Sequence, residues 1–111
     1  MKNFVGTIIE ESLEDLSILD ELRIISSSVT SDLEWHIHKV EVTKDQIEKL
    51  SHSLRIGPWY MHFWSGSDII VAFKDKIFHI KHGDRATWKP AVDYGLSLDI
   101  PPEQLDFPIE N

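Results

Sequence analysis

Apolar residues along this chain sometimes alternate with polar ones, sometimes bunch, and sometimes recur at helical spacing. Each pattern predicts a different element. Residues 4–10 are a short β-branched run that predicts a strand. Leu13, Leu16, Leu19 and Leu22 recur every third residue, with Ser12 and Asp15 as possible caps, which suits a helical turn or an apolar-lined loop. Residues 22–29 predict a second strand, and Ser31 and Asp32 a turn. Residues 33–42 predict a third. Thr43 and Gln46 then have capping-box spacing, and Ile47, Leu50 and Leu54 fall on one face of the helix they open. Gly57 and Pro58 stop that helix. A meander follows, with strands over 58–65, 68–74 and 77–81 and turns at Gly66-Ser67 and Asp75-Lys76. Asp84 can cap a last helix over 85–97 whose inner face holds Trp88, Ala91, Val92 and Leu96. Pro101 and Pro102 end it, and Leu105 and Phe107 dock back on the body.

The order is therefore β-β-β-α-β-β-β-α. It predicts an α+β fold, an antiparallel sheet of about five to six strands with two helices packed on one face. With 111 residues and no visible repeat or linker, the chain reads as a single domain over 1–111.

Composition narrows the classes of function. The chain has no cysteine, so disulfides, thiol nucleophiles and thiolate metal sites are excluded. Its net charge of −8, from 19 acidic and 11 basic residues, repels nucleic acid and anionic membrane. The first residues carry no long apolar run, so no signal peptide or membrane span is expected. These features suit a cytoplasmic monomer or weak homodimer whose partner is a protein or small ligand.

Two stretches carry candidate chemistry. Four of the eleven aromatics fall within Trp59, Tyr60, Met61, His62, Phe63 and Trp64. Alternation puts Trp59, Met61 and Phe63 on one face and Tyr60, His62 and Trp64 on the other. One face must be core. The other is either a second buried face or an amphipathic aromatic surface of the kind that binds proteins and flat ligands. The second stretch is Trp35, His36, Ile37 and His38. His36 and His38 point the same way, about 7 Å apart, on the face shared with Val40 and Val42. Such a pair is half of a zinc or iron site, and His62 is the best third ligand. The alternative is histidines hydrogen-bonded within a half-buried sheet. The acidic run Glu10, Glu11, Glu14 and Asp15 reads as a solvated face. There is no nucleophile elbow and no phosphate-cradling glycine loop.

Phe4-Val5-Gly6, Ile9 to Leu13, Trp35-His36, the 59–64 run, Trp88, Tyr94-Gly95 and Ile100 to Phe107 together resemble a family of small uncharacterised microbial proteins with no assigned activity. The resemblance implies a compact stand-alone protein and carries no site or cofactor onto these positions.

Three functions follow as expectations. The first is a binding module using a sheet face around Trp35, Tyr60, His62 and Trp64, next to His36 and His38. The second is a small metal-assisted hydrolase with zinc or iron on His36, His38 and His62 and a carboxylate as base. The third is a structural or partner-stabilising protein without a ligand. Exposure of the aromatic face separates the first from the third, and convergence of the histidines separates the second from both.

Overall fold

A computed structural model describes residues 3–31, 35–102 and 105. Six strands, β1 (Phe4–Ile9), β2 (Arg23–Val29), β3 (His36–Val42), β4 (Met61–Ser65), β5 (Asp68–Phe73) and β6 (Lys76–Lys81), form one antiparallel sheet. Their spatial order is β2-β3-β1-β4-β5-β6, so the first strand of the chain lies inside the sheet. Between β1 and β2 the chain makes two 3-10 turns, Glu10–Ser12 and Leu16–Glu21, which resolves the ambiguous leucine-spaced stretch. Two tight hairpin turns need a residue with positive φ. Gly66 supplies one (φ 61°) and Asp75 the other (φ 60°), an aspartate being among the few side chains that tolerate this region.

Register assigns each strand residue to a face. Phe4, Gly6 and Ile8 sit opposite Val42, Val40 and His38, and Gly6 sits opposite Phe63. Phe63 in turn faces Ile70. These residues make the first face. Val5, Thr7 and Ile9 belong to the second face, with Glu41, Lys39 and Ile37 on one side and Trp64 and His62 on the other. Burial alternates accordingly along β1.

The α+β class, the antiparallel sheet and the order of elements agree with the sequence. The two helices, however, lie on opposite faces instead of sharing one. Helix α1 (Lys44–Ser53) sends Ile47, Leu50 and the following Leu54 into a cluster with Phe4, Ile8, Val40, Met61, Phe63 and Ile70. Helix α2 (Lys89–Ser97) sends Ala91 into a second cluster with Trp64, Ile69, Val71, Phe73 and Ile80. The reason lies in β5. Ile69, Val71 and Phe73 project one way and Ile70 and Ala72 the other, and both sets need cover.

Local chemistry sets the helices. Thr43 Oγ1 accepts from the Gln46 N–H (3.3 Å) and Gln46 Oε1 from the Thr43 N–H (2.9 Å), completing the capping box of α1. The buried Ser51 hydroxyl donates to the Phe73 carbonyl at 2.5 Å, tying α1 to the end of β5. Asp84 accepts from the Ala86 N–H (3.2 Å) at the start of a 3-10 turn, Arg85–Trp88, that runs into α2. Trp88 and Ala91 are buried as expected, but Leu96 is 42% exposed and Gly95 takes the inward place. At 100° per residue, position 95 falls almost directly below 88, whereas 96 is turned well away. A Cβ at Gly95 would meet Leu105 Cδ2 at 2.5 Å, so glycine is what lets Leu105 pack there, and Leu105 is buried. Phe107, Leu33 and Glu34 lie outside the described residues. Among those described, no helix is long and apolar enough to cross a membrane.

Candidate functional site

Helix α2 packs over β4, β5 and β6 on the second face. In the other half of that face, Thr7 and Ile9 of β1 and Ile37 and Lys39 of β3 are only half-buried. A hollow of about 260 Å³ lies there, lined by Thr7, Ile9, Ile37, Tyr60, Met61 and His62. A smaller one of about 80 Å³ shares Ile9 and Tyr60 with it and adds Trp35, Pro58 and Trp59.

Each wall has a local cause. Tyr60 stands where the chain enters β4 and leans on Phe73, ring centres 5.8 Å apart. Phe73 is itself held edge-on by Phe78 and Tyr94, at 5.8 and 5.0 Å. The tyrosine ring therefore rests on the buried α2 cluster and is not loose on the surface. Upstream, Gly57 (φ 135°) adopts a conformation that favours glycine, and the Trp59 N–H turns back to the Gly57 carbonyl at 2.8 Å. That turn delays the strand to Met61, three residues later than the sequence suggests. It also brings Trp59 against Trp35, ring centres 5.7 Å apart.

Three of the four aromatic-face residues expected from sequence therefore meet: Trp35, Tyr60 and His62 all border the paired hollows. Trp64 does not. It is 7% exposed, packed in the α2 cluster, and backs the His62 ring at 5.4 Å. Thr7, Ile9 and Ile37 were not singled out from sequence. Their signal was present in β1, which is apolar at both parities and so has a second face to occupy.

The expected histidine triad does not assemble. His38 lies opposite Ile8 on the first face, and His62 lies opposite Thr7 on the second. With β1 between them and the sheet separating their side chains, the three rings cannot converge on one ion. His36 and His38 instead meet the carboxylates of Glu11 and Glu10, at 2.8 and 3.0 Å. The hydrogen bond from His36 holds the Glu11 carboxyl below the ordinary glutamate range, against a smaller opposing effect of burial. Glu10 and Glu11 thus do more than face solvent.

Another hollow, of about 280 Å³, lies between the start of α1 and the β5–β6 hairpin. Its two most prominent opposite charges, Lys81 and Asp68, are bonded to each other. A neighbouring hollow of about 160 Å³ continues it past Ile47 and Ile77. This groove flanks α1; Lys44, Asp68, His79 and Lys81 give it a charged rim, and its one lining aromatic, Phe4, is buried.

No protein-family model, curated protein or solved structure matches the chain, so the chemistry of the site is argued from its geometry.

Proposed function

We propose that this chain is a non-catalytic binding module that takes a small, flat, largely apolar ligand on the second face of its sheet. The observation that carries this reading is the hollow of about 260 Å³ with Ile9 and Ile37 as apolar side chains and Thr7, Tyr60 and His62 as polar groups. Its volume falls just under the usual range for ligand sites, about 300–1,000 Å³, which suits one or two fused rings. Tyr60 offers a ring face backed by Phe73, so little side-chain freedom is lost on binding. The chain acts, on this reading, as a cytoplasmic monomer or weak homodimer. Its charge of −8 keeps like copies apart and disfavours nucleic acid.

The test is a titration with bicyclic aromatic probes, indole and 2-naphthol, followed by backbone amide shifts. Saturable shifts should gather at residues 7–9, at 37 and at 58–62. Tyr60→Ala should weaken binding about tenfold, roughly 1.4 kcal/mol. Shifts that gather along α1 and β6, or no saturation at millimolar probe, would count against the reading.

A further inference from the structure

On the opposite face, at the corner where β1 gives way to its 3-10 turn, we propose that Glu10, Glu11 and His36 form a site for one divalent transition-metal ion, such as zinc, with His38 positioning Glu10. This is independent of the aromatic hollow and shares no residue with it.

The donor set is mixed, one imidazole nitrogen and two carboxylate oxygens, and offers one ligand atom from each residue within 4.8 Å of the others. His36 Nδ1 lies 2.8 Å from Glu11 Oε2 and 4.0 Å from Glu10 Oε2. Donors bound tetrahedrally to zinc at 2.0–2.2 Å stand about 3.3 Å apart, so the two separations bracket what an ion needs. Small side-chain rotations suffice to close the set. An imidazole with two carboxylates suits borderline ions such as zinc and not calcium, which takes oxygen alone.

The remaining oxygen of each carboxylate is also committed, which fixes where the proposed ligand oxygens point, and the ion would take the place of the His36 Nδ1–Glu11 Oε2 hydrogen bond. Glu11 Oε1 accepts from the backbone N–H of His36 at 2.8 Å. Glu10 Oε1 lies 3.0 Å from His38 Nε2, and His38 Nδ1 lies 2.7 Å from the Ser27 hydroxyl. A single tautomer serves both contacts: Nε2–H donates to Glu10, and Nδ1 accepts from Ser27. That chain of bonds orients a ligating carboxylate as outer partners do in metal centres. His38 is mostly buried, with 14% of its side chain exposed, while the His36 side chain is 51% exposed, so the site opens to solvent on one side.

The turn that carries both glutamates is itself anchored. The Ser12 hydroxyl donates to the Ile9 carbonyl at 2.6 Å, and the Arg55 N–H and Nε–H donate to the Ser12 and Glu11 carbonyls at 2.8 and 3.0 Å. The donors are thus held in place before any ion arrives. The charge balances too, since two carboxylates and a neutral imidazole offset one divalent cation. Spacing pointed to His36 and His38 but not to their carboxylate partners, because Glu11 and Glu10 stand 25 and 28 residues from them.

Isothermal titration of the intact chain with zinc chloride at neutral pH tests the proposal, alongside cobalt(II) absorption as a readout of coordination. One equivalent should bind with micromolar or tighter affinity. His36→Ala, Glu10→Gln and Glu11→Gln should each weaken it about tenfold or more. His38→Ala should weaken it about tenfold, with His38→Gln, which keeps a donor toward Glu10, in between. His62→Ala should leave binding unchanged. Melting curves of each variant in chelator separate loss of a ligand from loss of fold. Failure to saturate at micromolar zinc would overturn the proposal. So would binding that survives all three ligand variants or that vanishes instead with His52→Ala.

Discussion

Strands β5 and β2 belong to one sheet and could hardly differ more. From Ile69 to Phe73 no residue of β5 exceeds 3% exposure, whereas every residue of β2 is exposed. Strand β5 has α1 on one side, α2 on the other, and a strand along each edge. Strand β2 is an edge strand, paired only to β3 and interrupted by a bulge between Ile24 and Ser26. Their compositions follow: an unbroken apolar run in one, a triple serine in the other, with the bulge and Arg23 blunting the open edge. The sheet is thus stable at one end and accessible at the other. Both candidate sites fall between the extremes, on β1, β3 and the approach to β4, where side chains are half-buried. Groups there are held firmly enough to be positioned and remain open enough to be reached.

The sharpest way to break this contrast is to mutate each end. Phe73→Ala should lower stability by about 3–5 kcal/mol in urea denaturation, because its ring is fully buried in the α2 cluster. Ile25→Ala in β2 should stay within about 0.5 kcal/mol. Equal losses would mean that the two ends are stabilised alike. At the centre, Gly6→Ala should cost roughly 1–3 kcal/mol. A Cβ there would sit 2.2 Å from Phe63 Cδ1 and 2.6 Å from the His62 carbonyl, and the carbonyl has nowhere to rotate. A melting temperature unchanged by this substitution would show that β1 does not run so close beneath the Phe63 ring.

Thr43→Ala should cost about 1 kcal/mol, since the Gln46 N–H loses its acceptor and the capping box is broken. An unmoved denaturation midpoint would place the start of α1 elsewhere. The smallest effect concerns acid. Glu11 has a folded pKa below its ordinary value of 4.5, chiefly through the His36 hydrogen bond, so its contribution is complete above that value. It is lost as pH falls through the lowered one. Glu11→Gln should therefore lower stability slightly at neutral pH and flatten the acid limb, the two profiles converging as Glu11 is protonated. Profiles that coincide at neutral pH, or that part only in acid, would argue that the bond does not persist in solution.

What the sequence disclosed was local. The Thr43–Gln46 box, the Asp84 cap and the Gly66 turn each rest on neighbours a few positions apart. Alternation also paired His36 with His38 and Tyr60 with His62 on the correct strand parities. It could not relate one strand's parity to another's, which depends on β1 inserting between β3 and β4. Hence His62 was expected beside two histidines from which the sheet separates it. The side on which α2 settles is set in the same way, by a long-range choice that no local spacing encodes. Leu96 and Gly95 differ for a simpler reason: hydrophobicity favoured the leucine, whereas the helix's rotation and the approach of Leu105 favour the glycine.

The inner position of β1 also has a kinetic side. The first strand to be synthesised is bonded along both edges in the finished sheet, to β3 and to β4. Its second partner is complete only at Ser65, 65 − 9 = 56 residues after Ile9. At 5–20 residues per second, roughly 3–11 seconds of translation separate the two. Throughout that interval the nascent chain carries a β-branched segment with at least one unpaired edge, and closing β1 onto β4 then spans the longest loop in the sheet. The residues that finish the central seam, Phe63 over Gly6 and Trp64 opposite Val5, thus act late. A ribosome stalled shortly before them would display an open strand ready to pair with a neighbour's.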